Sequence, residues 1–481
     1  MATGEKQCSG ARGSVRLVCG KHDAYRHSPD YASCASYASG PQGAELALIA
    51  MTRSTQPLLA SMAALQVLWL VSIWLTGAAP NRQKLPLLLV YSLVCAVVIA
   101  RLPAGIVSSL RRVKERLERD ERLLCVILGA VVLSVGGVYA YMQQGWPDET
   151  HVFAAARIAA EQGVTQFFAD YTRIPWLGTQ HPPLALLVYG GAMRVFGVSL
   201  FVIRLVSLLL GLATLLLTYR LGSTLYDRHT GLLAAGYLLA TPFFFRVGAT
   251  ALTDMPVVFC FVLAVYVTLC LLRTPTYRLA LALGLCIGAG LLCRYTMVFI
   301  YLVLASYITV SGAFRRLAPH LALVVLISAG MLATWFAYAY HLGVLATQRD
   351  TITSYSAFVM TATSGRRWLL GSLLFRVPSG LGTYNLLPLL LGGWQLLRRR
   401  SQADRCVLLW IAAVFLPLTL TLPGPRYFLP AFPALTIAMA RGLEHVGEAA
   451  ERAVALALLF GGGALYLFVD WAQAAGGLFS H

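Results

Sequence analysis

Apolar runs long enough to cross a bilayer recur along almost the whole chain, at 58–78, 85–100, 123–142, 200–219, 230–247, 256–272, 320–341 and 406–422 among others. A helix needs about 20 such residues to span the hydrocarbon core. Inside that core every backbone N–H and C=O must be satisfied within the chain, which leaves helices or closed barrels. The strand alternation of a membrane barrel is absent. Only 12% of the 481 residues are charged, against about a quarter in soluble proteins. The expected fold class is an all-α polytopic membrane protein, with about thirteen transmembrane helices at the ~20-residue criterion.

The formal charge is +18, but it does not point to nucleic acid. The basic residues sit in short segments between apolar runs, where they set topology and meet anionic lipid headgroups. Residues 1–56 are polar and rich in Ser, Gly and Ala, and no apolar run follows the start. They read as a disordered cytoplasmic tail rather than a secretory signal. Met51 and Met62 are alternative starts. Cys8, Cys19 and Cys34 lie in this tail near His22 and His27, at spacings that fit no standard zinc pattern. The other cysteines lie in or beside apolar runs as small packing residues.

Residues 57–122 hold two further spans and a basic loop with Arg111, Arg112, Lys114, Arg116 and Arg119. Placing that loop in the cytoplasm makes 123–142 cross outward, and it begins the main transmembrane unit, 123–481. The stretch from Trp146-Pro147-Asp148-Glu149-Thr150-His151 to His181-Pro182-Pro183-Leu184 is then extracytoplasmic. Residues 183–197 are apolar but short, and Arg194 interrupts them. If they span, every later loop flips and the basic loops face outward. The charge rule therefore favours a helix lying flat in the interface. With that choice Asp254 reaches the same side as Asp148. Residues 279–293 and 296–312 form a hairpin with Arg294 at its tip. Residues 368–382 make a second interfacial helix, and Arg426-Tyr427 falls in an outward turn.

Asp148 and Glu149 open a helical pattern, and Asp254 precedes Met255-Pro256 at the start of another. Acids at such positions are commonly helix caps or first-turn residues. Together on one membrane face they suit catalysis: one acid acts as general base on an acceptor, and a second orients it. His181, Arg294, Arg366, Arg367 and Arg426 form the complementary set, suited to a phosphate or diphosphate. Singly, each arginine can equally snorkel to the headgroups. Asp148, His151 and Asp254 offer a possible divalent-metal set. No nucleotide-binding glycine fingerprint, Walker motif or zinc-protease motif is present. Acids and cations at a water–lipid boundary point to transfer from a lipid-phosphate donor to a polar acceptor, the cations stabilising the departing phosphate.

The order Asp148-Glu149, His181-Pro182-Pro183-Leu184, Phe196-Gly197, Arg204-Leu205-Val206-Ser207, Leu252-Thr253-Asp254 and Arg426-Tyr427-Phe428-Leu429-Pro430 resembles the membrane glycosyltransferases of the GT-C fold. The resemblance is to the family 39 type, which includes protein O-mannosyltransferases and the transferase that adds aminoarabinose to lipid A. It covers about 120–440. It implies interfacial helices in the outer loops, a polyprenyl-phosphate sugar donor and inversion at the sugar carbon. It implies Asp148 as the catalytic acid of the first outer loop, with Glu149 beside it, and Asp254 as the acid of the second. Donor phosphate then falls to Arg294, Arg426, His181, Tyr427 and Arg366. Many members have Lys-Pro-Pro where this chain has His181-Pro182-Pro183, which shifts the phosphate role toward Arg294 and Arg426. The family implies that no metal is required, and the acceptor is a glycan, lipid or protein. Competing functions are a polytopic transporter or lipid flippase, which would place charge at the bilayer midplane, and a non-catalytic membrane scaffold.

Overall fold

The structure, a computed structural model, describes residues 55–76, 84–142, 146–174, 181–361, 373, 377–421, 425–444 and 448–478. Arg366, Arg367, nearly all of the expected tail and most of the expected interfacial helix at 368–382 lie outside the described residues. Among the described residues the regular structure is entirely helical. Helices α1 (Thr55–Thr76), α2 (Lys84–Ala100), α3 (Ala104–Arg119) and α4 (Glu121–Met142) come first. Helix α5 (Pro147–Glu161) and helix α6 (Leu184–Phe196) follow, then α7 (Leu200–Leu225) and the pair α8 (Arg228–Leu239) and α9 (Pro242–Gly248). The chain continues through α10 (Asp254–Arg273), α11 (Tyr277–Cys293), α12 (Ile300–Ser311), α13 (Phe314–His341) and α14 (Val344–Thr361). It closes with α15 (Leu386–Arg399), α16 (Gln402–Thr421), α17 (Phe432–Gly442) and α18 (Glu448–Leu478).

Among the described residues, five helices, in α4, α7, α10, α13 and α16, are long and apolar enough to cross a membrane. A sixth is added if α8 and α9, bent by 72° at Ala240-Thr241, make one span. Pro242 at the start of α9 explains the break, because it has no N–H to continue the preceding helix. Shorter apolar helices lie in α1, α2, α6, α11 and across 295–311. The expected count of about thirteen goes beyond those long helices.

Helix α6 has 13 residues, or about 20 Å at 1.5 Å per residue, too short for the ~30 Å hydrocarbon core. It packs on α5 through Gly190. A Cβ there would meet the Ala156 carbonyl oxygen at 2.8 Å and Ala159 Cβ at 2.7 Å. Gly197 then ends α6 with φ +98°, a conformation that favours glycine. Ser199 caps α7, accepting from the Phe201 N–H at 3.1 Å. The short helix thus sits between two acid-bearing segments.

The N-terminal pair joins the C-terminal helix. The Tyr91 hydroxyl donates to the Leu459 carbonyl at 3.1 Å, and Arg452 donates to the carbonyls of Ile99 and Ala100 at 3.3 and 3.2 Å. One end of the bundle carries ordinary, partly exposed ion pairs, such as Lys114 with Glu451 and His229 with Glu118. The opposite end carries Asp148, Asp254, Arg294 and Arg426.

Candidate active site

Pro147 occupies the first helical position of α5, where its missing N–H costs nothing. Asp148 and Glu149 therefore fall in the first turn, and the cap position is Trp146, with no side-chain cap bond. Asp254 likewise opens α10 behind Thr253, again without a side-chain cap bond. Neither aspartate spends its carboxylate on capping. Each is spent on an arginine far away in sequence.

Arg426 Nη1 donates to Asp148 Oδ2, across 278 residues of chain. Arg294 Nη1 donates to Asp254 Oδ1 at 2.7 Å and to Thr253 Oγ1 at 3.2 Å. Tyr427 connects the two pairs: the Arg294 guanidinium lies 4.6 Å, and that of Arg426 5.5 Å, from its ring centroid. Arg294 is at the C-cap of α11, where the chain turns extended before a 3-10 turn at Tyr295–Phe299. Arg294 thus falls at the break between the two apolar segments, where the sequence pattern placed it, and its side chain points at the second acid.

His181 is buried, and its carbonyl accepts from the Tyr171 hydroxyl. Burial, and then the charges of Arg294 and Arg426, hold its imidazole pKa well below the ordinary value. It is thus a neutral ring near neutral pH. The structure brings Asp148, Asp254, Arg294, Arg426, Tyr427 and His181 together, while Arg366 lies outside the described residues.

Glu149 has a different setting from its neighbour. It is fully buried. Arg204 holds it in a two-pronged pair, Nε to Oε1 at 2.8 Å and Nη2 to Oε2 at 2.6 Å. The Ala251 N–H also donates to Oε1, at 2.7 Å. The remaining Arg204 nitrogen, Nη1, donates to the Ala140 carbonyl at 2.6 Å. The segment just before Asp254 is fixed further. Ser207 donates to the Thr250 carbonyl at 2.8 Å, and Tyr189 to the Leu252 carbonyl at 2.7 Å. Glu149 is therefore built into a clamp joining α4, α5, α7 and the Asp254 segment. Arg204, Ser207 and Tyr189 were not among the candidate residues. The available signal was a lone arginine in an apolar helix, which must find a partner.

Asp148, His151 and Asp254 do not form a metal site: among the described residues no three His, Cys, Asp or Glu side chains gather to hold an ion. Both aspartates are already paired with arginines, so the donor set does not fit a divalent ion as it stands, and no step is derived through one.

Residues 180–338 match the family model of dolichyl-phosphate-mannose-protein mannosyltransferases. No curated protein matches the chain by sequence. Among solved structures, ArnT from Cupriavidus metallidurans bound to undecaprenyl phosphate is similar at a TM-score of 0.54 and 15% identity, over 73% of this chain and 78% of that one. Its apo form gives 0.54 and 16% over the same shares. This is the GT-C membrane glycosyltransferase fold. The residues matched by the family model include His181, Arg204, Asp254 and Arg294. The Archaeoglobus fulgidus oligosaccharyltransferase, in a complex with Zn and sulfate, aligns at 0.45 and 17% identity over 72% of this chain and 53% of that one.

Proposed function

We propose that the chain is an inverting glycosyltransferase that moves a sugar from a polyprenyl-phosphate donor to an acceptor at the extracytoplasmic face of the cell membrane. The observation that carries this reading is the pairing of two acids with two arginines around Tyr427 at one end of an apolar bundle. All four charges lie at helix ends rather than mid-span, which favours an enzyme over a transporter with midplane sites.

Asp148 acts as general base. Among the described residues only Arg426 bonds its carboxylate, through Oδ2, which leaves Oδ1 for the acceptor proton. The acceptor oxygen attacks the sugar C1 as its proton passes to Asp148. The C1–O bond to phosphate breaks, and the electron pair leaves with the polyprenyl phosphate. A single displacement inverts C1. Arg294, Arg426 and Tyr427 meet the developing phosphate charge. In the resting site two acids balance two arginines and His181 is neutral, so the arginines must be shared with the incoming phosphate. His181 contributes a hydrogen bond rather than charge.

The exposed Arg111, Arg112, Arg116 and Arg119 of α3, remote in the bundle from this site, support the outward placement. Single cysteines at the exposed positions Thr165 and Arg399 should label from opposite sides. The direct test incubates purified protein with polyprenyl-phosphate mannose, and with other polyprenyl-phosphate sugars, plus acceptor fractions from the cell envelope. NMR should show a product anomer opposite to the donor. Retention, or no transfer from any such donor, contradicts the reading.

A further inference from the structure

Among the described residues, one buried polar group linked to this site has no hydrogen-bond partner. Trp335 Nε1 lies 2.8 Å from the Tyr295 hydroxyl. Indole nitrogen only donates, so Tyr295 accepts there. The Tyr295 hydroxyl then donates its own proton to Gln348 Oε1 at 2.8 Å. The reverse amide orientation would make the Tyr295 oxygen accept from both Trp335 and Gln348 and leave its own proton without an acceptor among the described residues, so the oxygen end of the amide faces Tyr295. The NH2 end is left pointing away. Gln348 is 4% exposed, and among the described residues nothing accepts from its Nε2. A buried amide donor without an acceptor is costly, and such exceptions in native proteins call for an explanation.

Position supplies one. Tyr295 follows Arg294 directly. Trp335 packs edge-on against Tyr171 at 5.3 Å, and Tyr171 holds the His181 carbonyl. Helix α14, which carries Gln348, packs on α13 and on α16, the helix that leads to Arg426. The amide is thus linked to the candidate site through two neighbours, Tyr295 beside Arg294 and Trp335 against Tyr171, which holds the His181 carbonyl. The anionic part of the donor is matched by the arginines, and its hydrocarbon offers no acceptor. The remaining part is the saccharide.

We propose that Gln348 is a sugar-recognition residue whose Nε2 donates to a hydroxyl oxygen of the transferred sugar, with Tyr295 and Trp335 holding the amide in place. This rests on the transferase reading above. The test measures binding of sugar-free polyprenyl phosphate and of polyprenyl-phosphate mannose, glucose, galactose and arabinose to wild type, Gln348→Met and Tyr295→Phe in nanodiscs. Gln348→Met should weaken the glycosylated lipid that wild type binds most tightly by about 5–10-fold, as for a lost hydrogen bond, and leave sugar-free polyprenyl phosphate unchanged. Tyr295→Phe, which keeps the amide but frees it to rotate, should cost less. A purely structural Gln348 predicts equal losses for both variants, or equal losses for both kinds of lipid, and either result overturns the proposal. If wild type binds no polyprenyl phosphate at all, the transferase reading fails instead.

Discussion

Asp148 and Glu149 are adjacent in sequence, yet their surroundings differ in every respect that matters for chemistry. The Glu149–Arg204 side chains are 1% and 4% exposed, and each guanidinium prong and carboxylate oxygen is satisfied. The Asp148–Arg426 side chains are 28% and 20% exposed and meet through a single nitrogen. A closed, two-pronged pair holds structure. A single contact open to water can exchange its partner for substrate. The helix geometry causes the split, because consecutive residues point about 100° apart, so one acid faces α7 and the next faces the site.

The comparison breaks most sharply at the clamp. Arg204→Met should cost about 3–5 kcal/mol, because it strands a buried carboxylate, read as a lower thermal midpoint in detergent. Adding Glu149→Gln should recover part of this loss. Full recovery would mean that an uncharged amide, whose oxygen can still accept from the Ala251 N–H, is tolerated there without the arginine. A smaller effect is expected from Gly190→Leu, about 1–3 kcal/mol of overpacking, as the side chain drives α5 off α6. That change should lower transfer as well as stability, since α5 carries Asp148.

His181 supplies the weakest and most condition-dependent effect. Its pKa is depressed in the folded protein by burial and by the arginines, so below the ordinary value of about 6.5 the unfolded chain binds more protons. Stability should therefore fall as pH drops through that value toward the folded pKa. His181→Gln should flatten this acid limb of a thermal-midpoint against pH curve. An unchanged limb would show that His181 is not the group responsible.

Much of this arrangement was legible in the sequence. The apolar runs fixed a helical membrane protein, the shortness of 183–197 marked a helix unable to span, and Asp148, Asp254, Arg294 and Arg426 stood out as polar residues in an apolar chain. The pairing did not. Which arginine meets which aspartate depends on tertiary packing across 278 and 40 residues, for which local spacing carries no signal. The burial of Glu149 against Arg204 was equally hidden, because adjacent carboxylates look alike in one dimension. Gln348 was invisible for the same reason: a glutamine in a polar stretch becomes informative only when its donor is buried and its acceptor is taken.

The division of labour between the adjacent acids is tested most directly by one paired measurement on Asp148→Asn and Glu149→Gln: sugar transfer and thermal midpoint on the same purified samples. Asp148→Asn should keep the wild-type midpoint and lose about 10²–10⁴-fold in transfer rate, the usual worth of a general base. Glu149→Gln should lower the midpoint markedly. A folded Asp148→Asn protein that transfers at the wild-type rate, or a Glu149→Gln protein that is inactive at an unchanged midpoint, contradicts the assignment.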